Sequence, residues 1–217
     1  MEDPLYQLAP DGTCLIETLG YRPAEGCRYL DLHLSRLHHS ALALGFAIQI
    51  DAIRDQLMAV HSDTPLRCRL TLSQEGQVAL NTTPFAPGTR PWLVAIAPVR
   101  LASDDPWLRH KTTQRRLYDT MRATLPKGLD EWVFCNERDE ICEGTITNLF
   151  VTGSDGKPVT PLVRSGVLPG IFRQHQPSTG QCTERVVMRD EIANCPAIML
   201  GNALRGAVPA VLIDVNA

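Results

Sequence analysis

Apolar residues recur along this chain with two different periods, and the changes of period mark out its elements. Leu15 to Tyr21 and Cys27 to Leu30 read as strands, with Pro23-Ala24-Glu25-Gly26 as the turn between them. Leu30, Leu34, Leu37, Ala41 and Leu44 then form one helical stripe that Gly45 stops. A second helix is expected from Asp51 as cap, burying Ile53, Leu57 and Val60. Leu66, Cys68, Leu70 and Leu72 alternate with Arg67, Arg69 and Thr71, the pattern of a half-buried strand, and Gln74-Glu75-Gly76 turns it into Val78–Leu80. Pro84 to Pro91 breaks the pattern, and Trp92 to Pro98 resumes as a buried strand.

The second half has another rhythm. Residues 99 to 110 are irregular, a short helix is expected from Thr112 to Ala123, and Trp132–Asn136 with Ile141–Thr152 reads as a hairpin around Glu137-Arg138-Asp139. Ser154 to Pro158 forms another turn. Val186–Met188 and Ala197–Gly201 read as strands on either side of a short helix near Asp190 to Asn194, and Pro177 and Gly180 predict a shortened, loop-rich stretch after Arg173. The sum is an α+β protein: a small N-terminal domain over 1–98, a linker over 99–110 and a larger, β-rich C-terminal domain over 111–217. No internal repeat or low-complexity segment interrupts it.

Composition narrows the class of protein without identifying it. At 217 residues, 44% hydrophobic and with a net charge of −3, the chain has ample material for a core and carries no basic run of the kind that binds nucleic acid. Seven cysteines with no C-x-x-C pair read as reduced, packed thiols and imply a cytoplasmic protein. His38 and His39 diverge by about 100° on a helix and are poor co-ligands, so no metal site is expected. The acidic start Met-Glu-Asp-Pro does not read as a signal peptide, and no apolar run is long enough to span a membrane.

The candidate chemistry centres on residues 140 to 150, Glu-Ile-Cys-Glu-Gly-Thr-Ile-Thr-Asn-Leu-Phe, where Glu143 stands in an otherwise apolar strand. A carboxylate there must either reach solvent at the strand end or meet a cationic or hydrogen-bonding partner. Lys111 is one of only three lysines, and the other two, Lys127 and Lys157, sit beside glycine or proline in turns. Leu168-Pro169-Gly170-Ile171 feeds a helix start whose backbone N–H groups would suit an anion. A lysine, a buried carboxylate and a phosphate cradle together are what a pyridoxal 5'-phosphate (PLP) enzyme requires.

Five segments in order, ETLGYRPAEGCRYLDLHLSRLHHSALALGF, HKTT with the following RRLY, EGTITNLF, LPGIFRQ and GNALRG, resemble the class IV (fold-type IV) PLP enzymes. That family includes the branched-chain and D-amino-acid aminotransferases and 4-amino-4-deoxychorismate lyase. The resemblance runs from about Glu17 to Pro209 and implies the two-domain class IV, D-amino-acid aminotransferase-like fold. It also implies an N-terminal domain shortened at its edge or completed by a partner, since these enzymes carry about another strand and turn before the equivalent of Glu17-Thr18-Leu19. Lys111 takes the place of the lysine that holds the cofactor covalently, and Glu143 that of the carboxylate paired with the pyridine nitrogen. Asn148 takes the place of a structural hydrogen-bonding residue. Arg36, the backbone at Ile171 and Phe172, and the loop at Asn202 and Ala203 fall where the family binds phosphate. Phe172 replaces a threonine common there, which leaves only backbone contacts. Arg116 stands where aminotransferases often carry a tyrosine, and Tyr118 is the nearby candidate to fill a substrate-binding role.

Within the family, Asn202-Ala203-Leu204 is similar to the lyases, whereas aminotransferases tend to read Ser-Gly-Thr. Glu17-Thr18-Leu19 and HKTTQRRLY are also similar to the lyase-type domain often fused to aminodeoxychorismate synthase. The resemblance therefore implies elimination of pyruvate from 4-amino-4-deoxychorismate to give 4-aminobenzoate, a step of folate synthesis. Lys111 would act as base, Thr18 as candidate proton donor and Arg205 as a substrate-carboxylate ligand. Two alternatives stay open: a class IV aminotransferase acting on branched-chain or D-amino acids, and a catalytically idle partner of a synthase. Family likeness further implies a homodimer, a small amino substrate and association with aminodeoxychorismate synthase.

Overall fold

The computed structural model describes residues 9–153 and 155–214. The chain divides into two compact units, one of residues 1–87 with 110–114 and one of residues 88–109 with 115–217.

In the first unit, β1 (Cys14–Arg22) is the hub. It pairs antiparallel with the short β2 (Gly26–Cys27) and along its whole length with β3 (Leu66–Ser73), which pairs in turn with β4 (Val78–Pro84). Helix α1 (Leu30–Leu44) covers one face and ends at Gly45, whose φ of 68° lets its N–H reach back to Ala41 and Leu42. The predicted stripe of Leu34, Leu37, Ala41 and Leu44 is buried, and beside it lies a second buried line, His33, Arg36 and Ser40, which is polar. Because strand residues alternate in direction, Leu15, Glu17 and Leu19 share a face with their partners Leu72, Leu70 and Cys68. All six are buried. Helix α2 (Ile50–Met58) starts one residue before the expected cap and buries Ile53 and Leu57, while Val60 stays half-buried beyond its end.

The returning segment His110–Gln114 is extended. An antiparallel bridge joins Leu15 to Thr112, Ile16 N–H donates to the Lys111 carbonyl at 2.8 Å, and Thr113 N–H to the Cys14 carbonyl at 2.9 Å. The helix expected from Thr112 therefore begins only at Arg116, because pairing with β1 claims the backbone before it.

The second unit is built on an eight-stranded sheet. Its strands, in spatial order, are β10 (Thr183–Arg185), β9 (Pro158–Pro161), β8 (Asn148–Thr152), β11 (Ile198–Asn202), β12 (Gly206–Leu212), β5 (Trp92–Leu101), β6 (Glu131–Asn136) and β7 (Ile141–Gly144). A further pairing of β7 with β8, through Glu143 opposite Asn148, closes the six strands from β8 to β7 into a ring. Two apolar clusters pack on its two faces. Val133, Cys135 and Ile141 belong to one, and Trp132, Phe134 and Cys142 to the other, as the two-residue period of β6 and β7 requires. Helices α3 (Arg116–Ala123), α4 (Ile171–Ser178) and α5 (Arg189–Asn194) complete the unit.

Four expectations change here. β5, placed before a boundary at 98, pairs with β12 and β6 of the larger sheet, so the division falls near 87 and Lys111 groups with the first unit. The segment Ile141–Thr152 is two strands divided by a tight turn at Thr145–Thr147. The strand expected at Val186–Met188 lies instead at Thr183–Arg185, where parallel pairing with β9 fixes it. After Arg173 the chain continues as α4 with Pro177 inside its last turn, and Gly180 follows at a φ of 71°. The turn expected from Ser154 falls partly outside the described residues; the N-terminal Met-Glu-Asp-Pro lies wholly outside them. Among the described residues no helix is long and apolar enough to cross a membrane.

Candidate active site

In the second unit the β7–β8 closure places Glu143 with a 6% exposed surface and three hydrogen-bond donors around its carboxylate. Oε1 accepts from the Tyr118 hydroxyl at 2.8 Å, and Oε2 accepts from Asn148 Nδ2 at 3.1 Å and from Leu168 N–H at 3.0 Å. Burial, and then the negative charge of Glu143, hold the Tyr118 phenol well above its ordinary pKa, so it remains a donor through the neutral range. Tyr118, expected at the substrate, is thus seen in contact with the carboxylate; its ring packs edge-on against Phe134. Asn148 is the structural hydrogen-bonding residue expected of it, since Nδ2 also donates to the Leu168 carbonyl at 3.0 Å.

The same asparagine approaches the start of α4. A Cβ at Gly170 would collide with Asn148 Oδ1, so only glycine lets the loop and the strand come this close. Gly170 is the N-cap residue of α4, and no side chain caps that end. The N–H groups of the first turn, Ile171 and Phe172 among them, lack helical acceptors by construction and carry the positive end of the helix dipole. The Phe172 side chain packs edge-on against Phe150, with ring centroids 5.7 Å apart, and lies over Gly201. Phe172 can therefore offer an anion its backbone and nothing more. Arg173 is 1% exposed and ties this turn down through Glu184 at 2.8 Å and the Pro161 carbonyl at 2.6 Å.

Asn202 closes the β11–β12 hairpin. Its Oδ1 accepts from Arg205 N–H at 2.9 Å, and its Nδ2 donates to the Ile146 carbonyl at 3.1 Å. Ala203 is buried, and the Arg205 guanidinium lies 5.5 Å from the centre of the Trp92 ring. Glu143, Tyr118, Asn148, the α4 N-terminus and the Asn202 hairpin are thus joined in one hydrogen-bonded assembly. A carboxylate suited to a protonated ring nitrogen and a helix N-terminus suited to a phosphate are the donor set that PLP requires.

Thr18, Arg36 and Lys111 belong to the first unit. Lys111 is half-buried on the segment paired with β1, after His110, whose ring Nδ1 lies 3.0 Å from Ser40 Oγ on α1. Thr18 is half-buried on β1 opposite Arg69, on the face away from α1. Arg36 meets a residue absent from the sequence-derived site: its Nε and Nη2 donate to Glu17 at 2.9 and 2.6 Å, while His33 Nδ1 lies 2.6 Å from the same carboxylate. Burial alone would raise Glu17, but Arg36 and His33 bring it down to about 2. Burial lowers His33, against the pull of Glu17, and the nearby charges of Arg36 and Lys111 lower it further. Glu17 carries the signal that singled out Glu143, a carboxylate between apolar strand neighbours. Glu131, also unforeseen, is fully buried at the start of β6.

The family model described as "Amino-transferase class IV" matches residues 14–213. Two similar solved structures carry provisional names. One is an amino-acid aminotransferase of Mesorhizobium loti, 36% identical over 93% of this chain and 100% of that one, with a TM-score of 0.86. The other is an aminotransferase of Mycobacterium tuberculosis in its PLP-bound form, 17% identical over 98% and 84%, with a TM-score of 0.80. A 4-amino-4-deoxychorismate lyase of Pseudomonas aeruginosa is 22% identical over 93% and 83%, with a TM-score of 0.76. The last two likenesses speak for the fold alone. A search of the curated proteins returned no match. Class IV enzymes are PLP-dependent.

Proposed function

The chain belongs to the amino-transferase class IV family, and from that premise we propose that it is a PLP-dependent lyase that releases pyruvate from 4-amino-4-deoxychorismate to leave 4-aminobenzoate. The observation that carries the cofactor chemistry is Glu143, a buried carboxylate fixed by three donors beside the uncapped start of α4. When bound, PLP supplies a protonated ring that accepts the electron pair left as a bond to the reacting carbon breaks. Glu143 would keep that ring nitrogen protonated, and Tyr118 and Asn148 hold Glu143 in place. The N–H groups of Ile171 and Phe172, the turn at Asn202 and Ala203, and Arg36 hold the phosphate. Lys111 would hold the cofactor covalently, and its amine would serve as the base that takes the proton from the substrate carbon bearing nitrogen. Thr18 or Lys111 delivers a proton to the departing pyruvate unit, and Arg205 meets a substrate carboxylate.

The preference for elimination rests on Asn202-Ala203-Leu204. A second reading, transamination of an amino acid, is supported by the 36% identity to the M. loti protein, and it uses the same lysine and the same carboxylate. A homodimer in the cytoplasm, working with a synthase that makes its substrate, completes the proposal.

The test is the visible spectrum of the protein with added PLP, beside Lys111→Ala. The expected result is a bound-cofactor band that borohydride fixes in the wild type and not in the variant. Pyruvate release from 4-amino-4-deoxychorismate would support the lyase; keto-acid formation from amino acids without it would support the aminotransferase. Spectra of free cofactor in both proteins would overturn the enzyme reading and favour the idle partner.

A further inference from the structure

Three residues, 145–147, separate the end of β7 at Gly144 from the start of β8 at Asn148, and this turn has an unusual anchorage. Beneath it lies the Glu131 carboxylate, 0% exposed. Oε1 accepts from the Thr145 hydroxyl at 2.5 Å and from Trp132 N–H at 3.2 Å. Oε2 accepts from Ile146 N–H at 3.2 Å and the Thr147 hydroxyl at 3.3 Å. From α3 come Arg115, whose Nη2 donates to the Thr145 carbonyl at 2.8 Å, and Arg122, whose Nη1 donates to Thr145 Oγ1 at 3.2 Å and stands 3.5 Å from Glu131. From the β11–β12 hairpin, Asn202 donates to the Ile146 carbonyl. Gly144 permits this closeness, since a Cβ there would fall on Thr147 Oγ1 and within 2.9 Å of Glu131 Cγ.

We infer that Glu131 is a positioning residue of the site: it clamps the 145–147 turn, and through that turn sets the placement of Glu143 and Asn148 on one side and of the Asn202 hairpin on the other. The reason is geometric. Glu143 and Asn148 are the single register pair that closes the ring, and this turn is the covalent link between them, so its placement bears on their spacing along the β7–β8 edge. Three donors of the turn, the Thr145 and Thr147 hydroxyls and Ile146 N–H, point to Glu131, while its carbonyls at Thr145 and Ile146 accept from Arg115 and Asn202; within the turn Gly144 N–H donates to the Thr147 carbonyl. The Glu131 carboxylate meets the turn, Trp132 N–H and Arg122, and acts on Glu143 through the turn. Burial raises the Glu131 pKa, opposed by Thr145 and Arg122, which marks the carboxylate as retained in the interior at an electrostatic cost. The inference rests on the PLP reading of Glu143.

The experiment pairs Glu131→Ala and Glu131→Gln with Asp130→Asn. The last removes the neighbouring acid, which accepts hydrogen bonds from Arg90 and Leu93 N–H and keeps only a longer-range attraction to Arg122. Amide hydrogen exchange over residues 143–148 is measured in the protein without cofactor, and PLP affinity and steady-state kinetics in the loaded protein. Expected for Glu131→Ala are faster exchange in that segment, weaker PLP binding and a fall in kcat/KM on the order of 100-fold, the scale of a small misplacement of reacting groups. Glu131→Gln, which keeps one acceptor oxygen, should recover part of each, and Asp130→Asn should match the wild type in all three. Unchanged exchange in either Glu131 variant overturns the clamp. Faster exchange with PLP binding and kinetics of the wild type overturns the positioning role. If the wild type itself binds no PLP, the failure lies with the enzyme reading, and the positioning role falls with it. Should Glu131→Ala not fold, Glu131→Gln decides by the same measurements.

Discussion

Glu17 and Glu143 occupy similar positions, each a buried carboxylate in a strand whose neighbours are apolar, and the protein treats them by different means. Glu17 sits between Arg36 and His33, so its hydrogen bonds come largely from a cation and its charge is met within the first unit. Glu143 receives hydrogen bonds from a phenol, an amide side chain and a backbone N–H, all neutral donors. Neutral donors fix a carboxylate in direction without cancelling its charge, whereas a guanidinium does both. The first arrangement meets the carboxylate with a buried guanidinium in direct contact. The second fixes the carboxylate in direction through donors that carry no charge, with the Arg173 charge acting on it from nearby. Burial alone therefore says little about which acid is functional; the geometry of its donors says more.

The most severe way to break the contrast is Glu17→Ala. It removes the carboxylate that Arg36 and His33 share, 9% and 1% exposed, and removal of one member of a buried pair costs about 3–5 kcal/mol. Urea unfolding should show that loss; a change under 1 kcal/mol would mean that the pair contributes little to stability. A milder perturbation of the same pair is acid. Glu17 falls from an ordinary value of 4.5 to about 2, so its native form binds protons less readily than its unfolded form. Its contribution is fully present above pH 4.5 and is lost as pH falls toward 2, about 3 kcal/mol in all. Glu140, brought to about 2 chiefly by Arg138, is lost over the same window. The difference in acid slope between wild type and Glu17→Gln isolates the Glu17 share, and parallel slopes would count against it.

The parts of this arrangement that could be read from the chain are those set by neighbouring residues. β1, α1 with its Gly45 stop, and the β3–β4 pair follow from periods of two and 3.6 with local turn signals. What escaped depends on distant partners. Thr112–Gln114 has the composition of a helix start, yet it pairs with residues almost a hundred positions earlier. Gly144–Thr147 has strand-forming residues, and it turns because Glu131, Arg115 and Arg122 claim its polar groups. Trp92–Leu101 reads as a strand in either half and joins the larger sheet through parallel pairing with β12 and β6. At the candidate site, EGTITNLF and LPGIFRQ pointed to a carboxylate and a helix start that the fold does bring together. The partners of Glu17 were hidden, because His33 and Arg36 lie beside an apolar stripe that already explains α1 as a helix.

On the other side of the contrast, Glu143→Gln removes the charge while keeping the shape. It should cost about 1–3 kcal/mol, since an amide must face donors that a carboxylate accepted. It should also lower PLP-dependent turnover on the order of 10²-fold or more. Turnover within a few-fold of the wild type would separate Glu143 from the chemistry.

The smallest expected effect is also the sharpest test of the neutral-donor idea. Tyr118→Phe deletes one hydroxyl and keeps the ring, whose edge-on contact with Phe134 has centroids 5.2 Å apart. Stability should fall by about 1–2 kcal/mol for the lost hydrogen bond to a charged acceptor. The loss should shrink when Glu143 is already Gln, because the hydroxyl then serves a neutral partner. A double-mutant cycle in unfolding free energy measures that coupling directly. If the two changes simply add, the hydroxyl's contribution is independent of the Glu143 charge, and the orientation of Glu143 must come from Asn148 and Leu168. If they couple, and Tyr118→Phe also lowers kcat more than it raises KM, then the hydroxyl holds the carboxylate in its working direction without touching the substrate.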